Sequence, residues 1–197
     1  MIIKVVTRQK LGDPLARIRD RDYWLNRPAS ERLAAVGFLR RQLHGDPKRI
    51  VRRSDFRALL ALFNDDCVEY LLVGGYALAH HGAPRYTGDM DLFVHATPEN
   101  ATRVLEALAA FGFGALGLTQ ADFCEPDQVI QLGHPPVRID LLTGLDGVSW
   151  DDAMRAPESA TLDGVPVNVI GREAFIANKR AAGRPSDLAD LDALGES

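Results

Sequence analysis

The stretch that decides the fold runs from residue 69 to residue 92: Glu69-Tyr70-Leu71-Leu72-Val73-Gly74-Gly75-Tyr76-Ala77-Leu78-Ala79-His80-His81-Gly82-Ala83-Pro84-Arg85-Tyr86-Thr87-Gly88-Asp89-Met90-Asp91-Leu92. It begins as a buried-strand run of five residues, 69–73, and stops at a glycine pair. Tyr76 to His81 has room for one or two helical turns before Gly82 and Pro84 close it. A second strand follows over Met90–His95, entered through Asp89-x-Asp91. Two residues apart in an extended chain, those carboxylates leave the same face. Crowding them there is repulsive alone and favourable around a divalent cation.

A third carboxylate, Asp140, lies in the apolar run Val137-Arg138-Ile139-Asp140-Leu141-Leu142. A charge inside such a strand needs a partner to justify its burial; pairing with Arg138 or Arg85 is the structural alternative to metal binding. Three carboxylates on one strand edge can hold two metal ions about 3.5–4 Å apart. The Gly74-Gly75 turn lets backbone amides approach phosphate oxygens at the start of the short helix.

Together these residues resemble the polymerase-beta-like nucleotidyltransferase superfamily. Within it they are most similar to the small bacterial enzymes associated with toxin–antitoxin and abortive-infection systems. The resemblance covers about residues 58–194. It implies that Asp89, Asp91 and Asp140 carry Mg²⁺ or Mn²⁺ and that Gly74 and Gly75 line the phosphate site. From its place before the DxD strand, Arg85 reads as holding either a phosphate or the Asp cluster, and Thr87 as either a nucleotide contact or a cap of the turn. The later run Asn178-Lys179-Arg180 with Gly183-Arg184-Pro185-Ser186-Asp187-Leu188-Ala189-Asp190-Leu191 is similar to the close of such domains, and there Lys179 would face the triphosphate. Many members have a serine directly after the glycine pair; this chain has Tyr76.

Around this centre the sequence predicts an α+β fold: a small mixed sheet flanked by helices, with an N-terminal helical appendage. A strand is expected at Ile2–Val6, then a helix from Ser30 with Leu33, Val36, Leu39 and Leu43 inward, stopped by Gly45-Asp46-Pro47. A second helix is expected from an N-cap at Ser54 through Phe56, Leu59, Leu60 and Phe63. Downstream come a helix over Pro98–Phe111, strands at Val129–Leu132 and Val137–Leu142, and a hairpin around Asp163-Gly164. A helix over Arg172–Ala182 and a last one from Pro185 complete the pattern. Residues 1–53 are read as the basic appendage and 54–197 as the nucleotidyltransferase domain. No strand leads into GxGxxG or a Walker loop, so a doubly wound nucleotide fold is excluded.

Charge separates along the same line. Residues 1–57 hold 15 Lys and Arg against 6 Asp and Glu, whereas the remainder holds 8 against 21. The basic segment either neutralises the acidic body or contacts nucleic acid. The two cysteines, Cys67 and Cys124, have no zinc-ligand spacing. With no signal-like start and no apolar run of about 20 residues, a cytoplasmic protein without membrane contact is expected. His80 and His81 read as packing residues, since neighbours on a helix point about 100° apart. Asp187 and Asp190 read as structural, with Asp187 in the first turn after Pro185, where a helix dipole favours a carboxylate.

The expected activity is metal-dependent transfer of a nucleoside monophosphate from an NTP to a hydroxyl on RNA, tRNA foremost, or on protein, in a toxin–antitoxin or phage-defence setting. The alternative is a non-catalytic antitoxin or adaptor that binds nucleotide, RNA or a cognate toxin. An antibiotic-modifying transferase would share the site but usually brings a larger helical substrate domain, for which no room is expected here.

Overall fold

The computed structural model describes residues 22–44, 53–114, 117–134 and 137–196. The expected strand at Ile2–Val6 and the stop at Gly45-Asp46-Pro47 lie outside them. Among the described residues the elements run α1 (Ala29–His44), α2 (Arg53–Asp65), β1 (Tyr70–Leu72), α3 (Gly74–His80), β2 (Asp89–Val94) and α4 (Pro98–Leu108). They continue with α5 (Gln120–Cys124), β3 (Val129–His134), β4 (Val137–Leu142), α6 (Trp150–Ala153), β5 (Glu158–Leu162), β6 (Val165–Val169), α7 (Arg172–Ala182) and α8 (Pro185–Leu194).

One six-stranded sheet has the order β3-β4-β2-β1-β6-β5. β2 pairs with β4 in parallel and β1 with β6 in parallel, while the remaining neighbours are antiparallel. β1 sits near the middle of this order, and all three of its residues are buried, as its unbroken apolar run requires. β6 alternates, with Val165, Val167 and Val169 buried and the residues between them exposed, the pattern of a half-covered strand. Asp163 and Gly164 both take positive φ, 51° and 85°, as a two-residue hairpin turn of the right-twisted type demands.

Two boundaries differ from the sequence reading. α2 begins at Arg53 rather than capping on Ser54, a shift within the ordinary blur of helix ends. The helix expected over Pro98–Phe111 is α-helical only to Leu108 and then widens into a π-helical turn, Ala109–Phe113, containing Gly112 at φ 104°. Phe111 and Phe113 thereby meet at 5.4 Å and pack on the core.

α1 lies against α3 and β5. Its Leu33 and Val36 are 2 % and 0 % exposed and belong to the same hydrophobic cluster as β1 and β2. At roughly 1.5–3 kcal/mol per fully buried side chain of this type, removing α1 uncovers a substantial apolar surface on α3. A chain starting at Ser54 is therefore expected to melt lower and self-associate, measured by thermal denaturation and sedimentation. A monomeric truncation with an unchanged melting temperature would overturn that expectation.

Candidate active site

β1 and β2 are antiparallel, so the end of one and the start of the other meet at the same edge of the sheet. The Val73 N–H donates to the Asp91 carbonyl at 3.0 Å, extending the ladder up to the glycine pair. Gly74 then turns with φ +58°, and a Cβ there would stand 1.9 Å from Asp91 Oδ2. Gly75 is constrained as well: its Cβ would come within 2.8 Å of Thr87 Cβ. The chain has glycine at both positions because a strand carboxylate and a threonine occupy the space a side chain would need.

On β2, Asp89 and Asp91 are partly exposed while Met90 and Leu92 are fully buried, so the two carboxylates share a face. Parallel register places Asp91 opposite Asp140 and Asp89 opposite Arg138. A ligand atom from each of Asp89, Asp91 and Asp140 lies within 4.8 Å of the others. The donor set is three hard carboxylate oxygens, which suits Mg²⁺ or Mn²⁺.

Arg138 organises two of the three. Its Nε donates to Asp140 Oδ1 at 2.5 Å, and its terminal nitrogen reaches Asp140 Oδ2 at 2.8 Å and Asp89 Oδ2 at 3.0 Å. Gln131, opposite Asp140 on β3, also donates to it at 3.4 Å. Thr87, 5 % exposed, donates its hydroxyl to Asp89 Oδ1 at 2.5 Å. Among the described residues nothing clasps Asp91 in this way. Burial first, then the charges of Asp89 and Asp140, push its carboxyl up to about 7, against the opposing pull of Lys179 and Arg138.

The expectation that Lys179 faces a triphosphate meets a different arrangement. Lys179 is 6 % exposed, with Nζ 2.7 Å from Asp187 Oδ1 and 3.1 Å from Asp190 Oδ2. Asp190 in turn accepts two bonds from Arg85, at 2.7 and 3.0 Å, and Asp187 accepts from Arg184 at 2.6 Å. Asp187 is thus no simple helix-terminus carboxylate: at 1 % exposure it belongs to a five-residue ion-pair chain joining α7, α8 and the loop before β2. Arg85 and Arg184 keep side-chain exposures of 44 % and 66 %, and the charge of Asp91 acts on both. Tyr76 turns inward at 4 % exposure, edge-on to Phe56 with ring centroids 6.4 Å apart.

His80 and His81 are buried, as the packing reading expects. Burial, chiefly, pushes His81 down to about 4, so it is neutral. Of the site residues, Arg138 carried a readable signal: at two residues from Asp140 on a strand it must share that face. Arg184 carried none, because its place depends on how α8 packs.

Replacing Gly74 with alanine is expected to displace Asp91. The left-handed backbone costs an alanine about 1–2 kcal/mol, to which the collision with the carboxylate adds. Mn²⁺ titration and thermal melting should show weaker metal binding together with lower stability. A Gly74→Ala protein that bound Mn²⁺ normally would place the ion away from Asp91.

Paired strand carboxylates beside a glycine turn, on a mixed sheet flanked by helices, define the class of nucleotidyltransferases. More narrowly, the chain belongs to the family described as nucleotidyl transferase of unknown function (DUF2204), whose profile matches residues 52–197. No curated protein matches the chain. Among solved structures it is similar to ANT(2")-Ia in complex with adenylyl-2"-tobramycin, with 16% identity over 72% of this chain and 86% of that one, at a TM-score of 0.47. It is also similar to the lincomycin-bound lincosamide antibiotic adenylyltransferase LnuA, with 14% identity over 75% and 98%, at a TM-score of 0.44. An antigenic nucleotidyltransferase-like protein from Paracoccidioides brasiliensis shares 18% identity over 72% and 73%, at a TM-score of 0.43. Among the described residues no helix is long and apolar enough to cross a membrane.

Proposed function

We propose that the protein transfers a nucleoside monophosphate from an NTP to a hydroxyl group on RNA, tRNA foremost, or on protein, with Mg²⁺ or Mn²⁺ held by Asp89, Asp91 and Asp140. The observation that carries this reading is the register of Asp91 opposite Asp140 on parallel strands, with Asp89 on the same face. A metal bound there would supply positive charge for the triphosphate and acidify the attacking hydroxyl. The hydroxyl oxygen would form a bond to the α-phosphorus and lose its proton to a nearby carboxylate or to solvent, while the bond from that phosphorus to the β-phosphate bridge breaks and pyrophosphate leaves.

The chain's own residues prepare this step. Thr87 and Arg138 hold the Asp89 carboxylate in one orientation, and Arg138 with Gln131 holds Asp140. Arg85 and Arg184, anchored by Asp190 and Asp187 and partly exposed, would bind phosphate oxygens. Lys179 acts from behind them: it fixes both aspartates and lowers the electrostatic cost of charge on Asp91. A toxin–antitoxin or phage-defence setting follows from the sequence resemblance alone.

The test is incubation of the full chain with each labelled NTP, Mg²⁺ or Mn²⁺, and separately total tRNA, total protein, an aminoglycoside and a lincosamide. Label on tRNA or protein with release of pyrophosphate is the expected result. Label on the antibiotics alone would replace the macromolecular acceptor. No transfer from any NTP, with nucleotide still bound, would favour the non-catalytic adaptor.

A further inference from the structure

α3 starts at the glycine pair and ends at His80, with His81 as its C-cap residue at φ −77°, ψ 0°. Regular helical neighbours diverge, yet both imidazoles converge on Glu158, the first residue of the edge strand β5. His80 Nε2 stands 2.8 Å from Glu158 Oε2, and His81 Nδ1 stands 3.8 Å from Oε1. One ligand atom from each of the three lies within 4.8 Å of the others. The histidine side chains are 5 % and 2 % exposed, while the Glu158 side chain is 46 % exposed, so solvent reaches the cluster from the carboxylate side.

The hydrogen bonding leaves one contact unexplained. His81 Nε2 lies 2.9 Å from the Ile170 carbonyl, an acceptor, so the single proton of the neutral ring belongs on Nε2. Nδ1 faces Glu158 Oε1 across 3.8 Å, beyond hydrogen-bond distance, and is the ring atom left to coordinate an ion. An imidazole whose far N–H donates to a backbone carbonyl is also the usual arrangement of a metal-bound histidine. His80 Nδ1 is buried without a hydrogen-bond partner, so that ring is oriented by Glu158 and packing.

We propose that His80, His81 and Glu158 form a second metal site, at the other end of α3 from the three aspartates, that takes a divalent transition metal of the Zn²⁺ class. Two imidazoles and one carboxylate match Zn²⁺ and leave a fourth position for water. The positive charges of Arg32 and Arg172 act on Glu158 and His81 respectively. They disfavour a hard ion held by charge alone and leave nitrogen coordination to select the metal. A bound ion would clamp the edge hairpin to the helix that carries Gly74 and Gly75.

The experiment uses the untagged full chain carrying Asp89→Asn and Asp140→Asn, so that the carboxylate centre does not contribute. Zn²⁺ is titrated by calorimetry and Co²⁺ by visible absorption. The expected result is one equivalent of Zn²⁺, with Co²⁺ giving the strong visible bands of a four-coordinate site and Zn²⁺ displacing it. Adding Glu158→Gln or His80→Gln should weaken binding at least about 100-fold, more than loss of an outer-shell partner alone costs. Absence of stoichiometric Zn²⁺ uptake by the double variant overturns the proposal, even where a histidine variant fails to fold. Uptake undiminished by both added substitutions overturns it as well.

Discussion

Replacing Asp91 with asparagine is expected to abolish nucleotidyl transfer while making the metal-free protein more stable above pH 7. Loss of a metal carboxylate removes several kcal/mol of transition-state stabilisation, so transfer should fall by more than about 10³-fold. The stability gain follows from the raised carboxyl, near 7 when folded and about 3.9 when unfolded. Between those values the folded state holds the proton more tightly. Native stability is therefore lost as pH climbs from about 4 to 7, and the whole penalty is present at pH 8. Asparagine escapes it. Because Asp91 is partly exposed, the gap at pH 8 should be about 1–3 kcal/mol, less than the full shift would imply. Melting in EDTA at pH 4 and pH 8 checks it: equal stability of variant and wild type at pH 8 would mean that neither burial nor the neighbouring carboxylates raise Asp91. Asp89→Asn and Asp140→Asn should lose transfer equally but gain no stability, since each gives up its ion pair with Arg138.

Lys179→Met is expected to produce the largest loss of stability of any single substitution considered. It leaves Asp187 and Asp190, 1 % and 3 % exposed, without the cation between them. Breaking a buried pair from one side costs roughly 3–5 kcal/mol. The lower end applies here because Arg184 and Arg85 still pair with the two aspartates. Asp187→Asn should be costly for the same reason, well beyond a helix-terminus effect of about 0.3–1 kcal/mol. Urea unfolding of Lys179→Met and of Lys179→Met/Asp190→Asn separates the causes. If stranded charge dominates, the second substitution restores part of the loss; if Lys179 contributes only packing over Phe175, it does not.

The clustered carboxylates Asp89 and Asp91 were legible because their signal is local. Asp89-x-Asp91 fixes a shared strand face by period two, and Gly74-Gly75 after an apolar run fixes a turn. The hairpin at Asp163-Gly164 was readable for the same reason. α5 and α6 had local signals too, and short ones: the Thr119 N–H donates to Asp122, and Ser149 accepts from the Asp152 N–H. Such caps weigh little against the absence of an amphipathic run in helices of five and four residues. The rest depended on tertiary packing. Lys179 reads as facing the triphosphate until α8 delivers two aspartates to it, and nothing local shows that β5 brings Glu158 to both His80 and His81.

The pairing of Asp91 with Asp140 also bears on how the protein matures. The 42 residues 95–136 separate the two strands that carry them, including all of α4, α5 and β3. A slip of one residue between β2 and β4 would turn Asp140 to the opposite face and set Ile139 or Leu141 opposite Asp91. The centre therefore comes into being only when a long-range parallel pairing, a slow kind of contact to form, has settled in its one productive alignment. Metal capture by the three aspartates would in this sense be a checkpoint on strand alignment: a nascent or misaligned chain carries every residue of the cluster without its geometry.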